Sequence, residues 1–127
     1  MTQRRNVKAR RIYDPALPED GTRVLVDRIW PRGVSKARAQ LDEWCKDIAP
    51  STELRKWYSH DPALFAEFAH RYRDELSEPA HAAAFAHLHD LAKEGTLTLL
   101  TATKNPDLSE AAVVADLVGS GQCRPVG

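Results

Sequence analysis

Two short runs constrain this chain more than anything else in it. Residues 23–29 read RVLVDRI and residues 96–103 read TLTLLTAT. The first holds a continuous apolar stretch and the second is rich in Leu and β-branched Thr, which suits strands buried on both faces. Between them lie several segments of helical period, and a helical crossover of that kind joins parallel strands. The expected architecture is therefore α/β: a small, mostly parallel sheet packed with helices in a single domain.

The remaining elements fall around these two. VKARRIYD (7–14) alternates weakly and stops at Asp14-Pro15, as a further strand does; PALPEDGT (15–22) has the Pro, Asp and Gly chemistry of a loop. Gly33 permits a tight turn, and Ser35 is placed to cap a short helix over 36–41. LDEWCKDIAP (41–50) reads either as a continuation of that helix or as a short strand with Trp44 on one side; the strand is preferred. Ser51 caps a helix with Leu54, Trp57 and Tyr58 at i, i+3 and i+4. Asp61-Pro62 supplies a cap and a first-turn proline for a helix over 62–77, whose stripe is Phe65, Phe68, Ala69, Tyr72 and Leu76. Pro79 opens a helix with Phe85, Leu88, Leu91 and Ala92 inward, ended by Gly95. Asp107 and Glu110 have capping-box spacing before a last helix carrying Val113, Val114, Leu117 and Val118. With 127 residues there is room for one domain. Its core spans about 5–118, and 119–127 (GSGQCRPVG) form a loose tail. Leu25, Phe65, Phe68, Tyr72, Leu88, Leu99 and Leu117 are the expected buried set.

Charge narrows the functional classes. The chain is neutral overall, but residues 1–40 carry ten Lys and Arg against four Asp and Glu, and 41–127 carry eight against fourteen. A basic segment attracts anionic partners through its field. The zero total, with no tight helix-turn-helix, argues against sequence-specific duplex binding. No stretch nears the roughly 18 apolar residues of a membrane span. The start, MTQRRNVKARR, has no apolar core behind its charges, so a cytoplasmic protein is expected.

The buried runs end in reactive residue types. VLVDRIWPRG places Asp27, Arg28, Trp30 and Arg32 at the end of one strand; the other ends in Thr101, Thr103, Lys104 and Asn105. In parallel sheets ligands sit beyond the carboxyl ends of the strands, so the two clusters share an edge. Two guanidiniums and the backbone N–H groups near Ser35 make an anion site there, with Asp27 holding an Arg or acting as a base. Asp27 and Arg28 are expected on opposite faces by strand alternation, with Arg32 the better contact. The candidate ligand residues are Asp27, Arg28, Trp30, Arg32, Ser35, Thr101 and Lys104, and the ligand class is a small phosphorylated or nucleotide-like anion. Two other readings stand beside it: a nucleic-acid-associated protein using the basic N-terminal region with Trp30 and Trp57, and a structural or interaction protein in which an Asp27–Arg ion pair merely pins the loop.

Over the stretch RVLVDRIWPRGVSKARAQLDEWCKDIAPSTELRKWYSHDP, through FAEFAHRYRDEL and GTLTLLTATK, the chain resembles the YeaO-like branch of domain-of-unknown-function family 488. The likeness covers about residues 5–118. It implies a small cytoplasmic α/β domain with no established activity. In the wider family the strand matching 97–101 is followed by a Cys and then a Cys-His-Arg cluster; here Thr101 stands where the Cys would be, and Ser109, Glu110 and Ala111 fall near the cluster. Where the YeaO-like pattern tends to carry Asn or His, this chain has Leu108 and Ser109.

Other constellations are weaker. STELRKWYSHDP (51–62) offers Arg55, Trp57 and His60 as secondary candidates for phosphate binding and ring stacking, against a plainer reading in which Trp57 is core. Cys45 and Cys123 are read as reduced thiols, with a Cys45 nucleophile the lesser reading. His87 and His89 point to different sides of a helix and no H-x-x-x-H occurs, so no metal is assigned. No phosphate-loop, dinucleotide-binding or nucleophile-elbow motif is present, and no cofactor is assigned. Reaction and oligomeric state leave no mark in the sequence.

Overall fold

Side chains alternate along a strand, so 24–26 must put Val24 and Val26 on one face and Leu25 on the other. In the computed structural model, which describes residues 7–59 and 61–119, both faces are covered. Strands β1 (Val7–Arg11), β2 (Thr22–Leu25), β3 (Glu43–Trp44) and β4 (Leu97–Thr101) form one sheet in the order β1-β4-β2-β3. Every neighbouring pair is parallel. Central β4 is buried along its whole length, as its apolar run requires. The ambiguous 41–50 segment contributes a two-residue edge strand, short enough to offer little to a second chain.

Helices α2 (Thr52–Tyr58), α3 (Phe65–Leu76), α4 (Pro79–Glu94) and α5 (Glu110–Gly119) pack on the face of Val24, Val26, Leu97 and Leu99. An aromatic ladder runs through this core: Tyr58 stacks on Phe68 at 4.3 Å, and Phe68 on Tyr72 at 5.7 Å between centroids. The Tyr72 hydroxyl donates to the Ile48 carbonyl (2.5 Å), which satisfies a buried polar group. Of the expected core set, Leu25, Phe68, Tyr72, Leu88, Leu99 and Leu117 are buried, while Phe65 is only half-buried. The other face is thinner. Leu25 and Leu100 pack there against Ile12, Val34 and Ala39, under the four-residue α1 (Lys36–Ala39).

Several boundaries differ from expectation; the helix expected over 62–77, for one, opens with a 3₁₀ turn over Pro62–Leu64. β1 stops at Arg11, where a turn closed by Asp14 N–H to the Arg11 carbonyl (3.1 Å) begins. β2 stops at Leu25 rather than 29. The last helix begins at Glu110, not behind an Asp107 cap. Asn105 instead caps a 3₁₀ turn over Pro106–Leu108, its Oδ1 accepting from the Asp107 N–H at 3.1 Å. Gly119 closes α5 and is buried; the rest of the expected tail, with Cys123, lies outside the described residues.

At the amino end of the sheet sits a buried ion cluster inside the stretch read as a plain loop. Asp20 is fully buried and accepts from the Leu17 amide (3.0 Å), from Arg10 (3.0 Å to each oxygen) and from Arg23 (2.5 Å). Arg23 also donates to the Ala39 and Gln40 carbonyls, so the cluster ties β1, β2 and the end of α1 together. Beside it Gly21 adopts φ +64°, and a Cβ there would lie 2.3 Å from the Thr96 carbonyl oxygen, so only glycine lets the chain pass this close to β4. Burial by itself would raise the Asp20 pKa; the Leu17 amide, Arg23 and Arg10 outweigh it and hold the carboxyl below its ordinary value of 3.8.

Two outcomes follow. Phe68→Ala should cost about 3–5 kcal/mol in denaturant melts, from lost burial plus the cavity left in the aromatic ladder. Asp20→Asn should cost a comparable ~3–5 kcal/mol, because Arg23 stays buried without its counter-charge. Since the Asp20 pKa is depressed on folding, its contribution is present above 3.8 and disappears as pH falls through the lower folded value. The gap between wild type and Asp20→Asn should therefore narrow in acid melts.

Candidate ligand cleft at the strand ends

Past Leu25 the chain leaves the sheet. The Val26 amide still donates to the Leu100 carbonyl (3.0 Å), and Asp27 comes next. Its Oδ1 accepts from the Thr101 hydroxyl (2.8 Å) and its Oδ2 from the Ala102 amide (2.7 Å). Ala102 is the first residue beyond β4, so the carboxylate takes up a backbone donor that the strand ladder leaves open. The Asp27 carbonyl in turn accepts from the Trp44 indole (2.7 Å). One residue thus binds together the ends of β2, β3 and β4.

Glu110, the first residue of α5, lies over the same point, its Oε1 3.5 Å from the Thr101 hydroxyl. Burial, followed by the hydrogen bond to Asp27 and its charge, raises the Glu110 pKa well above the ordinary 4.5; its own backbone amide and Arg55 pull the other way. Asp27 and Glu110 thus lie side by side at the strand ends, with Glu110 the carboxyl that burial and its neighbour push toward the neutral form.

This pair forms the floor of a cleft of about 390 Å³. One wall is the loop Arg28, Ile29, Trp30, Pro31 and Arg32; the other is Arg55 and Tyr58 of α2, with Thr103, Leu108 and Ser109 closing the end. Ser51 sets the position of α2. Its Oγ accepts from the Leu54 amide (3.2 Å) and donates to Glu75 (2.5 Å). Arg55 and Tyr58, three apart, then share one side of that helix. Most neutral donors in the cleft are already committed. Tyr58 donates to the Leu108 carbonyl (2.7 Å), Ser109 Oγ to Pro106 (2.6 Å) and Trp30 Nε1 to Val34 (2.7 Å). The Arg28 and Arg32 guanidiniums make no hydrogen bond or ion pair among the described residues.

Of the residues singled out in the sequence, Asp27, Arg28, Trp30, Arg32 and Arg55 line the cleft, and Thr101 lies beneath it, holding Asp27. Asp27 and Arg28 line it together because the strand has ended before them, so alternation no longer separates them. The expected Asp27–Arg pair is absent among the described residues; the partners of Asp27 are β4 and Glu110. Ser35 is not part of the lining: its Oγ caps α1 by accepting from the Arg38 amide (3.1 Å). Lys104 is exposed outside the lining. Trp57 packs away from it, under the Arg71 guanidinium at 4.1 Å. His60 lies outside the described residues. Sequence reasoning did not single out Tyr58 or Glu110 as site residues, because helical periodicity accounted for the first and capping-box spacing for the second.

Cys45 is buried, and burial first, then Glu43 and Asp47, push its thiol up to about 11, so it is a neutral core thiol rather than a nucleophile. Among the described residues no group of His, Cys, Asp and Glu is arranged to hold a metal. Among the described residues no helix is long and apolar enough to cross a membrane.

The profile of the family described as the inactive DUF488-N3 subclade matches residues 6–122. The chain belongs to that family. Related DUF488 proteins include the uncharacterised protein Rv3073c of Mycobacterium tuberculosis, 47% identical over 118 residues that span 93% of this chain and 98% of the relative. The uncharacterised protein YeaO of Escherichia coli is 45% identical over 115 residues, 91% of this chain and 98% of its own. No solved structure matches. The resemblance to the YeaO-like branch thus holds over most of this DUF488 chain.

The raised Glu110 pKa carries a signed prediction. Its stabilising contribution is complete below the unfolded value near 4.5 and is lost as pH rises through the folded value. Glu110→Gln keeps a hydrogen-bond donor toward Asp27 without a proton to lose. Urea melts should show Glu110→Gln gaining on wild type as pH rises above 4.5. A constant difference would mean that folding does not raise the Glu110 pKa.

Proposed function

We propose that this protein binds a small anionic ligand, phosphorylated or nucleotide-like, in the cleft at the carboxyl ends of its strands. The observation that carries this reading is the state of its arginines. Arg28 and Arg32 line a concave site and make no ion pair among the described residues, whereas Arg10 and Arg23 are both bound to Asp20. A guanidinium left unpaired beside a cleft is suited to a planar or tetrahedral oxyanion. Arg55 adds a third positive group on the facing wall.

Binding rather than turnover fits the family's description as inactive. It also fits the spent donors: Thr101 gives its hydroxyl proton to Asp27, and Tyr58 and Ser109 give theirs to carbonyls. The rings that a nucleic-acid reading would use for stacking are engaged within the protein. Trp57 lies under Arg71, Trp44 under Lys46 at 5.0 Å, and Trp30 packs edge-on with Trp44 at 5.4 Å. This favours a small ligand over a strand of nucleic acid.

Arg32→Ala tests the reading. A loop arginine contributes little to the core, so stability should stay within about 1 kcal/mol of wild type. Affinity for inorganic phosphate or pyrophosphate should fall by about 1.5–3 kcal/mol, the worth of a charge-assisted hydrogen bond. In thermal melts the stabilisation by phosphate should shrink in the variant. An unfolded variant, with no protection of wild type by phosphate, would make the arginines architectural.

A further inference from the structure

The hydrogen-bonding capacity left in the cleft indicates what else the ligand carries, and rests on the anion site proposed above. Along the walls the side-chain donors still available are the arginines and the Thr103 hydroxyl, because the Tyr58, Ser109 and Trp30 donors are committed to backbone carbonyls. The floor has the opposite character. Asp27 is an acceptor already holding Thr101 and Ala102. Glu110 lies against it, its Oε1 3.5 Å from the same Thr101 hydroxyl. What the floor offers a ligand is carboxyl oxygen, which accepts. A simple phosphate satisfies the arginines but makes no use of the acceptor capacity left on these carboxyl oxygens.

We propose that the ligand is amphoteric: an anionic group held by Arg28, Arg32 and Arg55, and an amine, amide or ring N–H donated to the Asp27–Glu110 floor. The volume of about 390 Å³ accommodates a ligand with two such ends, well beyond a lone oxyanion. Ile29, Trp30 and Pro31 also line the cleft and supply apolar surface for a short carbon chain or ring.

Calorimetric titration of the full chain with aminoethyl, aminobutyl and aminohexyl phosphate, each against the plain alkyl phosphate of the same length, tests this. At one length or more the amine should bind about tenfold tighter, as a charge-assisted hydrogen bond gives. Asp27→Asn, which removes the Asp27 charge, should abolish that preference. Glu110→Gln keeps a donor for Asp27 and an acceptor for the ligand, so it should retain the preference. Equal affinity of wild type for amino and plain phosphates at every length would overturn the proposal and leave the anion site standing. Binding of none of them would overturn both. Should Asp27→Asn fail to fold, the comparison in wild type and Glu110→Gln decides the matter by itself.

Discussion

The carboxylate of Asp27 is the interaction on which this end of the molecule depends. Parallel strands end side by side with open backbone donors, and something must satisfy them when the chain turns away. Asp27 does so from β2, accepting from both the hydroxyl and the amide at the end of β4, while its own carbonyl takes the indole of β3. Because those bonds hold the strand ends together, the following loop, anchored by Trp30, needs no ion pair from its arginines. Its arginines then project beside the cleft rather than into ion pairs. Glu110 enters as the second carboxyl only because α5 begins there.

The two ends of the sheet use the same chemistry to opposite effect. At the amino end, Asp20 is buried among Arg10, Arg23 and the Leu17 amide, and every partner is fixed. Such a cluster specifies geometry, joining β1 and β2 to the end of α1 through Arg23. At the carboxyl end the carboxylates pair with each other and the cationic groups are left over. Under the proposed function that surplus is what separates a binding surface from architecture, and it is independent of net charge, which is zero for the chain.

Much of the fold was legible because burial on both faces leaves a strong mark. The runs at 24–26 and 97–101 announced the central strands, and the helices between them required those strands to be parallel. Even the two-residue β3 was suggested by Trp44. Phe65 was misplaced because a helical stripe says which side faces inward but not how far the core extends along it. The site was legible only where chemistry clustered in sequence, as in Asp27, Arg28, Trp30 and Arg32. Glu110 joins Asp27 across most of the chain, and its spacing from Asp107 pointed to a local cap. Pro106 overrode that reading by closing a 3₁₀ turn and starting the helix later. Asp20 was hidden for the same reason: within PALPEDGT an aspartate looks like turn chemistry, and only the fold brings two arginines to it.

The central claim is that the strand-end cleft, and not the basic amino-terminal end of the sheet, receives an anion. A ¹H–¹⁵N NMR titration with inorganic phosphate measures this directly, because each backbone amide and arginine Nε–H reports its own surroundings. The account predicts saturable shifts confined to residues 28–32, Arg55, Thr103 and 108–110, with the Arg10 and Arg23 signals unmoved. Shifts centred on Lys8, Arg10 and Arg23, or none that saturate, would contradict it.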